Sequence, residues 1–188
     1  MALVTDIVRS HGRPREVFGA ILKRGVDDKT GFFFLIIALV MGFVSQLPGV
    51  SRRANLPDPA LEAAIAQERD DVRPIQGAEV PEAMVDAKFE ALMSAELMVW
   101  LFILPLVFYG LAMVGHFAAR ALGGAPSTVA SRVAMFWALL VATPLKLLHG
   151  LVFGMIGPGP ALTLVGLLWL VLFMWTWTSN LRVAGWDQ

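Results

Sequence analysis

Long runs of apolar residues dominate the pattern of this chain. A helix needs about 20 apolar residues to cross the hydrocarbon core of a membrane, and residues 31–50 (GFFFLIIALVMGFVSQLPGV) provide that length without one charge. Residues 95–119, with an expected kink at Pro105, and residues 161–181 are runs of the same kind. The pattern therefore predicts an all-α, polytopic bundle of transmembrane helices.

A further run, residues 128–156, is too long for one upright helix. Its 29 residues would extend about 43 Å at 1.5 Å per residue, whereas the hydrocarbon core is about 30 Å thick. Division at Pro144 would leave two pieces that are each short for a crossing. We therefore predict one tilted helix, kinked at Pro144, and about four spans in total. Two short crossings, which would make five spans, are the alternative.

A polar segment, residues 51–94, separates the first two spans. It holds nine acidic residues, five basic residues and four prolines, so we expect an acidic extramembrane loop. Asp58 and Pro59 predict the start of a helix that reaches about residue 69. Pro81 predicts a second helix that continues into the second span. The apolar stripe expected on this second helix is Val85, Phe89 and Leu92.

Residues 1–30 are predicted to form a cytoplasmic tail, and residues 31–188 the transmembrane domain that includes the loop. The tail should contain an amphipathic helix that begins at Pro14 and ends at Gly25. Such a helix can lie on an anionic membrane surface, and docking of its apolar face against the bundle is the alternative. The basic residues expected at the membrane surface are Arg13, Arg15, Lys23 and Arg24.

Composition agrees with a membrane protein and excludes several functions. Of 188 residues, 57% are hydrophobic and 16% are charged, against about 25% charged in a typical soluble domain. The formal net charge is zero, so we expect no nucleic-acid binding. Without cysteine there is no thiolate chemistry, and His11, His116 and His149 do not have metal-ligand spacing. We therefore expect no metal, no cofactor and no catalytic residue.

The distribution of Lys and Arg predicts the orientation. The tail has six such residues, and with four spans Arg120, Arg132 and Arg182 lie on the same side, whereas the long loop has five. Because positive residues accumulate on the cytoplasmic side, both termini are predicted to be cytoplasmic. Arg52 and Arg53, directly after the first span, argue in the opposite direction.

Two short segments carry a family resemblance. Residues 14–18 (PREVF) precede the first span, and after the long loop residues 116–124 (HFAARALGG) lead into the third. This arrangement resembles the bacterial branch of the Ypt-interacting-protein (Yip) family. The resemblance implies a small polytopic, non-enzymatic membrane protein, and with it we expect the bacterial inner membrane.

Eukaryotic relatives in the Yip family are linked to vesicle traffic and to binding of Rab-type GTPases, and they carry an Asp-Leu-Tyr-Gly-Pro signature. The nearest segment here, residues 108–111 (FYGL), lacks the Asp and the Pro. GTPase binding is therefore not carried over to this chain.

Small residues four positions apart indicate close helix packing. Gly150 and Gly154 show this spacing on the third span, and Ala38 and Gly42 show a weaker version on the first. Packing inside the bundle and packing between molecules both remain open.

Ionisable groups at membrane depth are functional candidates, because they are costly to place there. Lys146 and His149 are three residues apart on one helix face, and Glu96 lies near the same membrane face under the four-span topology. We predict an ion pair between Glu96 and Lys146, with snorkelling of Lys146 to the interface as the alternative.

The first functional hypothesis is a non-enzymatic membrane scaffold or accessory protein. It would associate with other integral membrane proteins or with itself, or shape the bilayer, and membrane lipids are the other expected partners. The alternative is a small transporter or channel subunit with a polar path near Glu96, Lys146 and His149. Transporters of that kind are typically built from internal repeats, and the sequence shows none, which favours the scaffold.

Overall fold

The computed structural model describes residues 3–68 and 81–187, which form nine α-helices and one π-helical segment, with no strand. The helices are α1 Leu3–Ser10, α2 Pro14–Lys23, α3 Asp28–Val44, α4 Leu47–Asn55, α5 Pro59–Glu68, α6 Glu82–Met98, α7 Leu104–Ala121, α8 Thr128–Met155 and α9 Pro160–Trp186; the π segment Val99–Ile103 joins α6 to α7.

Four continuous or nearly continuous helical stretches are long and apolar enough to cross a membrane. They are Asp28–Asn55, Glu82–Ala121, Thr128–Met155 and Pro160–Trp186. The predicted all-α bundle of four spans is confirmed. Pro144 lies inside one uninterrupted helix, so the single-helix prediction for this run is right and the five-span alternative is wrong.

The first span is divided where the sequence contains proline. Helix α3 ends at Val44, and Pro48 occupies the first turn of α4. Proline has no N–H to bond the carbonyl four residues earlier, here that of Val44. Ser45 lies in the break and donates its hydroxyl to the Gly42 carbonyl at 2.5 Å. Helix α4 then packs against α6 and α8, so residues 51–55 belong to the helical body.

The kink expected at Pro105 takes the form of the π segment. The amide of Leu104 bonds the carbonyl of Val99, five residues earlier. A wider turn accommodates the proline ring and its missing donor without ending the helix. The span therefore continues unbroken from Glu82 to Ala121.

Helix α8 is the centre of the bundle. Every residue from 133 to 143 is buried, and the helix contacts α3, α4, α7 and α9. The second span is peripheral by comparison: 6% of its most apolar stretch is buried, against 50% for α8.

The amino-terminal tail is docked on the bundle. Helix α2 is present as predicted, but its apolar residues Val17, Phe18 and Ile21 are buried and the helix packs against α9. The docked alternative therefore applies, and the interpretation of α2 as a helix whose apolar face lies on the membrane is wrong. Helix α1 is not predicted by the sequence pattern. Its Ser10 accepts a hydrogen bond from the indole of Trp137 at 3.2 Å.

The loop contains the two predicted helices, α5 and α6, and the predicted end of the first near residue 69 lies outside the described residues. The stripe predicted on α6 is wrong. Phe89 is exposed, and the residues of α6 that are buried are Met84, Ala87 and Lys88. Met84 and Ala87 form a small second core with Ile65 of α5.

Candidate functional site

A carboxylate, two cations and two indole rings meet at the end of the bundle where the loop leaves it. We call Arg53, Glu96, Trp100, Lys146 and Trp169 the loop-side cluster. Glu96 and Trp100 are four residues apart, so they share a face of the second span. Arg53 Nη2 donates to Glu96 Oε1 at 2.8 Å, and Trp100 Nε1 donates to Glu96 Oε2 at 3.2 Å.

Lys146 does not pair with Glu96, so that prediction is wrong. Its ammonium nitrogen lies between two indole rings, 5.9 Å from the centroid of Trp100 and 5.8 Å from that of Trp169. Indole faces attract cations through their quadrupole. Among the residues described, Arg53 pairs with the carboxylate of Glu96 instead. Arg53 lies on α4, and the break before Pro48 sets the position of that helix.

A small cavity adjoins Lys146. Its volume is about 200 Å³, and its lining consists mainly of apolar groups. The lining residues are Ala38, Gly42, Trp100, Leu104, Phe108, Leu139, Thr143, Lys146 and Trp169. In this lining Lys146 is the sole ionisable group, so the cavity is a poor conduit for ions.

His149 lies one turn beyond Lys146 and is turned to another neighbour. Its Cδ2 and Nε2 atoms pack toward Gly166 of α9, at 3.4 and 3.5 Å from the position that a Cβ would occupy there. The structure therefore does not bring the three predicted groups, Glu96, Lys146 and His149, into one polar path.

The predicted small residues make close contacts inside the chain. A Cβ on Gly150 would overlap the backbone carbonyl of Ser45, and a Cβ on Gly154 would overlap Pro48. The turn between α3 and α4 thus lies directly on α8. On the first span, Gly42 faces the ring of Trp100, and Ala38 lines the cavity near Lys146.

Arg52 has a partner at the carboxyl end of α8. Its Nη1 donates to the Gly154 carbonyl at 3.4 Å. Carbonyls in the last turn of a helix have no partner within the helix and carry partial negative charge, so a guanidinium is favourable here. Arg52 and Arg53, which opposed the predicted orientation, are both engaged with this end of the bundle.

A buried ion pair in the loop was missed by the sequence analysis. Lys88 is fully buried, and its Nζ donates to Glu62 Oε1 at 2.8 Å and to the Leu56 carbonyl. Burial by itself would raise the pKa of Glu62, but hydrogen bonds from the Asp58 amide and from Lys88 outweigh burial and hold that pKa below its ordinary value. From the sequence, a lysine on a loop helix is expected to be exposed to solvent. The available signal for its burial was the pair of apolar neighbours, Met84 and Ala87.

The basic residues predicted at the membrane surface have different environments. Arg13 pairs with Glu16 at 3.5 Å, and Arg24 pairs with Asp6 at 3.3 Å. Lys23 is exposed at the end of α2. Arg15 lines a cavity at the opposite end of the bundle from the loop-side cluster.

His116 and Ser131 form a buried pair with a separation of 3.1 Å. The Ser131 hydroxyl also lies 3.1 Å from the Ser127 carbonyl. The pair links α7 to α8 inside the bundle.

Within residues 3–68 and 81–187, no group of three His, Asp or Glu side chains is placed to hold a metal ion. Comparisons of the chain with family models, with curated proteins and with solved structures find no match.

Proposed function

We propose that this protein is a non-enzymatic scaffold or accessory protein of a bacterial inner membrane, with both termini in the cytoplasm. It associates with other integral membrane proteins through the outer face of α7. We also propose the bacterial branch of the Yip family as its relatives.

The observation that carries the proposal is an open notch on α7. Gly110 is exposed, and a Cβ there would meet nothing within 4 Å. Three exposed residues lie four or seven positions from Gly110 and therefore share its face. They are Leu106, Val114 and Phe117. A glycine between large apolar residues lets a second helix approach closely, whereas the bundle itself makes no use of this glycine.

The π segment at the start of α7 supports the same surface. Such segments in α-helices are frequent at functional sites. Here the segment directly precedes the exposed face, and Leu101 and Phe102 within it are exposed by 62% and 67%.

The contacts of the loop-side cluster favour a scaffold over the transporter alternative. Arg53 and Trp100 hold the carboxylate of Glu96, and two indole rings hold the ammonium of Lys146. Groups that conduct an ion have to release it to the next site, and these groups are engaged with one another.

In-cell photo-crosslinking tests the proposal. A photoreactive amino acid at Phe102 or Leu106 should give a discrete adduct with another membrane protein. The matched positions are Leu168 and Val171 on the exposed face of α9, which should crosslink to lipid only. Equal protein adducts from both helices, or none from α7, would contradict the proposal. An adduct between tagged and untagged copies alone would replace it with self-association.

A further inference from the structure

Two adjoining cavities lie at the tail-side end of the bundle, where α2, the end of α7 and the end of α9 meet. The first, of about 470 Å³, is lined by Arg15, Leu122, Arg182, Trp186 and Asp187. The second is a groove of about 410 Å³ between α7 and α9. They share Leu122, Arg182 and Trp186, so a charged compartment adjoins an apolar one.

The charged compartment contains two arginines, Arg15 and Arg182. Arg15 and Arg182 come from different helices, and both are exposed. In the part of the chain that the structure describes, neither guanidinium has an ion pair or a hydrogen bond. Asp187 also lines the compartment, which leaves one net positive charge. A guanidinium pair of this kind suits a phosphate, whose oxygens accept several N–H donors together.

The apolar groove is long enough for part of an acyl chain. It extends along α7 from Val114 to Leu122, about 12 Å at 1.5 Å per residue. Val114 and Leu122 are exposed by 62% and 77%, so the groove is open toward lipid. Its remaining lining residues are Gly115, Ala118, Ala119, Trp177, Thr178, Leu181, Arg182 and Trp186.

The indole ring of Trp177 is part of the groove lining. Its Nε1 atom is buried and has no hydrogen-bond partner among the described residues, so the ring offers the groove an apolar surface.

We propose that this composite site binds an anionic phospholipid. The phosphate lies between Arg15 and Arg182, and one acyl chain lies in the groove between α7 and α9. The two arginines complement an anionic headgroup. Because the groove opens toward lipid, the membrane is the source of the ligand. The groove shares Val114 with the α7 face proposed for a partner, but the arginine pair lies outside that face.

Native mass spectrometry of the full chain in detergent tests this site. The probes are phosphatidylglycerol and phosphatidylcholine with identical acyl chains. The wild-type protein should retain phosphatidylglycerol about tenfold better, because each basic group near an anionic headgroup adds to the affinity. The double variant Arg15→Gln/Arg182→Gln should lose this preference, whereas the control Lys23→Gln, an exposed lysine outside both cavities, should keep it.

A second variant examines the acyl compartment without changing charge. Ala118 is exposed in the groove, so Ala118→Trp should fill the groove, leave the fold intact and lower retention of phosphatidylglycerol. Equal retention of both lipids by the wild type would overturn the proposal, as would an unchanged preference in the double variant. Displacement of the lipid by inorganic phosphate, with no effect of Ala118→Trp, would show an anion site without a lipid and would also overturn it.

Discussion

At the residue scale, the loop-side cluster brings a carboxylate, two cations and two indole rings together at one end of the bundle. Glu96 and Lys146 attract notice because charges near lipid are costly. The carboxylate nevertheless goes to Arg53, at 2.8 Å. That pairing depends on where α4 lies after the break at Pro48, and no spacing in the sequence encodes it.

A double-mutant stability cycle separates these two pairings. Glu96→Gln combined with Arg53→Gln should show a coupling of about 0.5–1 kcal/mol, reduced from the value of a buried pair because the Arg53 side chain is 41% exposed. Glu96→Gln combined with Lys146→Met should be closer to additive. Unfolding in mixed detergent micelles measures both cycles, and a larger coupling of Glu96 with Lys146 would refute the assignment of Arg53.

The Lys88–Glu62 pair makes a pH-dependent prediction. The pKa of Glu62 in the folded protein lies below its ordinary value of 4.5. The pair therefore makes its full contribution to the packing of α5 on α6 above about pH 4.5. This contribution is lost as the pH falls through the pKa of Glu62 in the folded protein.

Hydrogen exchange of the α5 amides measures this effect against Glu62→Gln at the same pH, which cancels the pH dependence of chemical exchange. The wild type should be better protected at pH 7, and the difference should shrink at pH 3. A difference of the same size at both pH values would show that the ionised pair is not its source.

At the element scale, most of the correct predictions come from the length of each apolar run. Residues 128–156 were assigned to one helix because two halves would be too short, and α8 is one helix. The break between α3 and α4 was missed although Pro48 was visible, since the apolar run continues through it. The sequence does not predict helix α1 because eight residues are too few for a periodic pattern, and so short a helix depends on its packing against α2 and α8.

The contact between the α3–α4 turn and α8 gives a prediction at this scale. Gly150→Leu should destabilise the bundle by about 1–3 kcal/mol or more, because its side chain would meet the backbone of Ser45, which cannot rotate away. Gly110→Leu is the matched control, since the space around Gly110 is open. Thermal unfolding in detergent measures both variants. Equal stability of the Gly150 and Gly110 variants would show that α8 and the turn are not in close contact.

At the scale of the whole molecule, the central helix α8 packs against a peripheral second span. Half of the most apolar stretch of α8 is buried, against 6% for the second span. The docked tail closes one end of this bundle, and the loop-side cluster closes the other. Hydropathy predicts which segments lie in lipid, but it does not distinguish a central span from a peripheral one, because both are apolar all round. The position of α7, and with it the candidate partner surface, therefore required the structure.

Orientation is also a property of the whole molecule. The chain lacks cysteine, so single cysteines at exposed positions report sidedness. An impermeant thiol reagent added to intact cells should label Ala60→Cys and Pro158→Cys, and it should label Thr5→Cys and Ala125→Cys only after the membrane is permeabilised. The reverse pattern would place the tails outside and the loop in the cytoplasm.

We propose that α7 binds another membrane protein at the Gly110 notch. Size-exclusion chromatography of the protein extracted from native membranes in mild detergent, with native mass spectrometry of the peak, tests it directly. The wild type and Ala161→Leu, a control with an exposed alanine on α9, should elute with the same partner protein at fixed stoichiometry. Gly110→Leu should elute alone with an unchanged midpoint of thermal unfolding. A wild-type protein that elutes alone, or a Gly110→Leu variant that keeps the partner, would contradict the account.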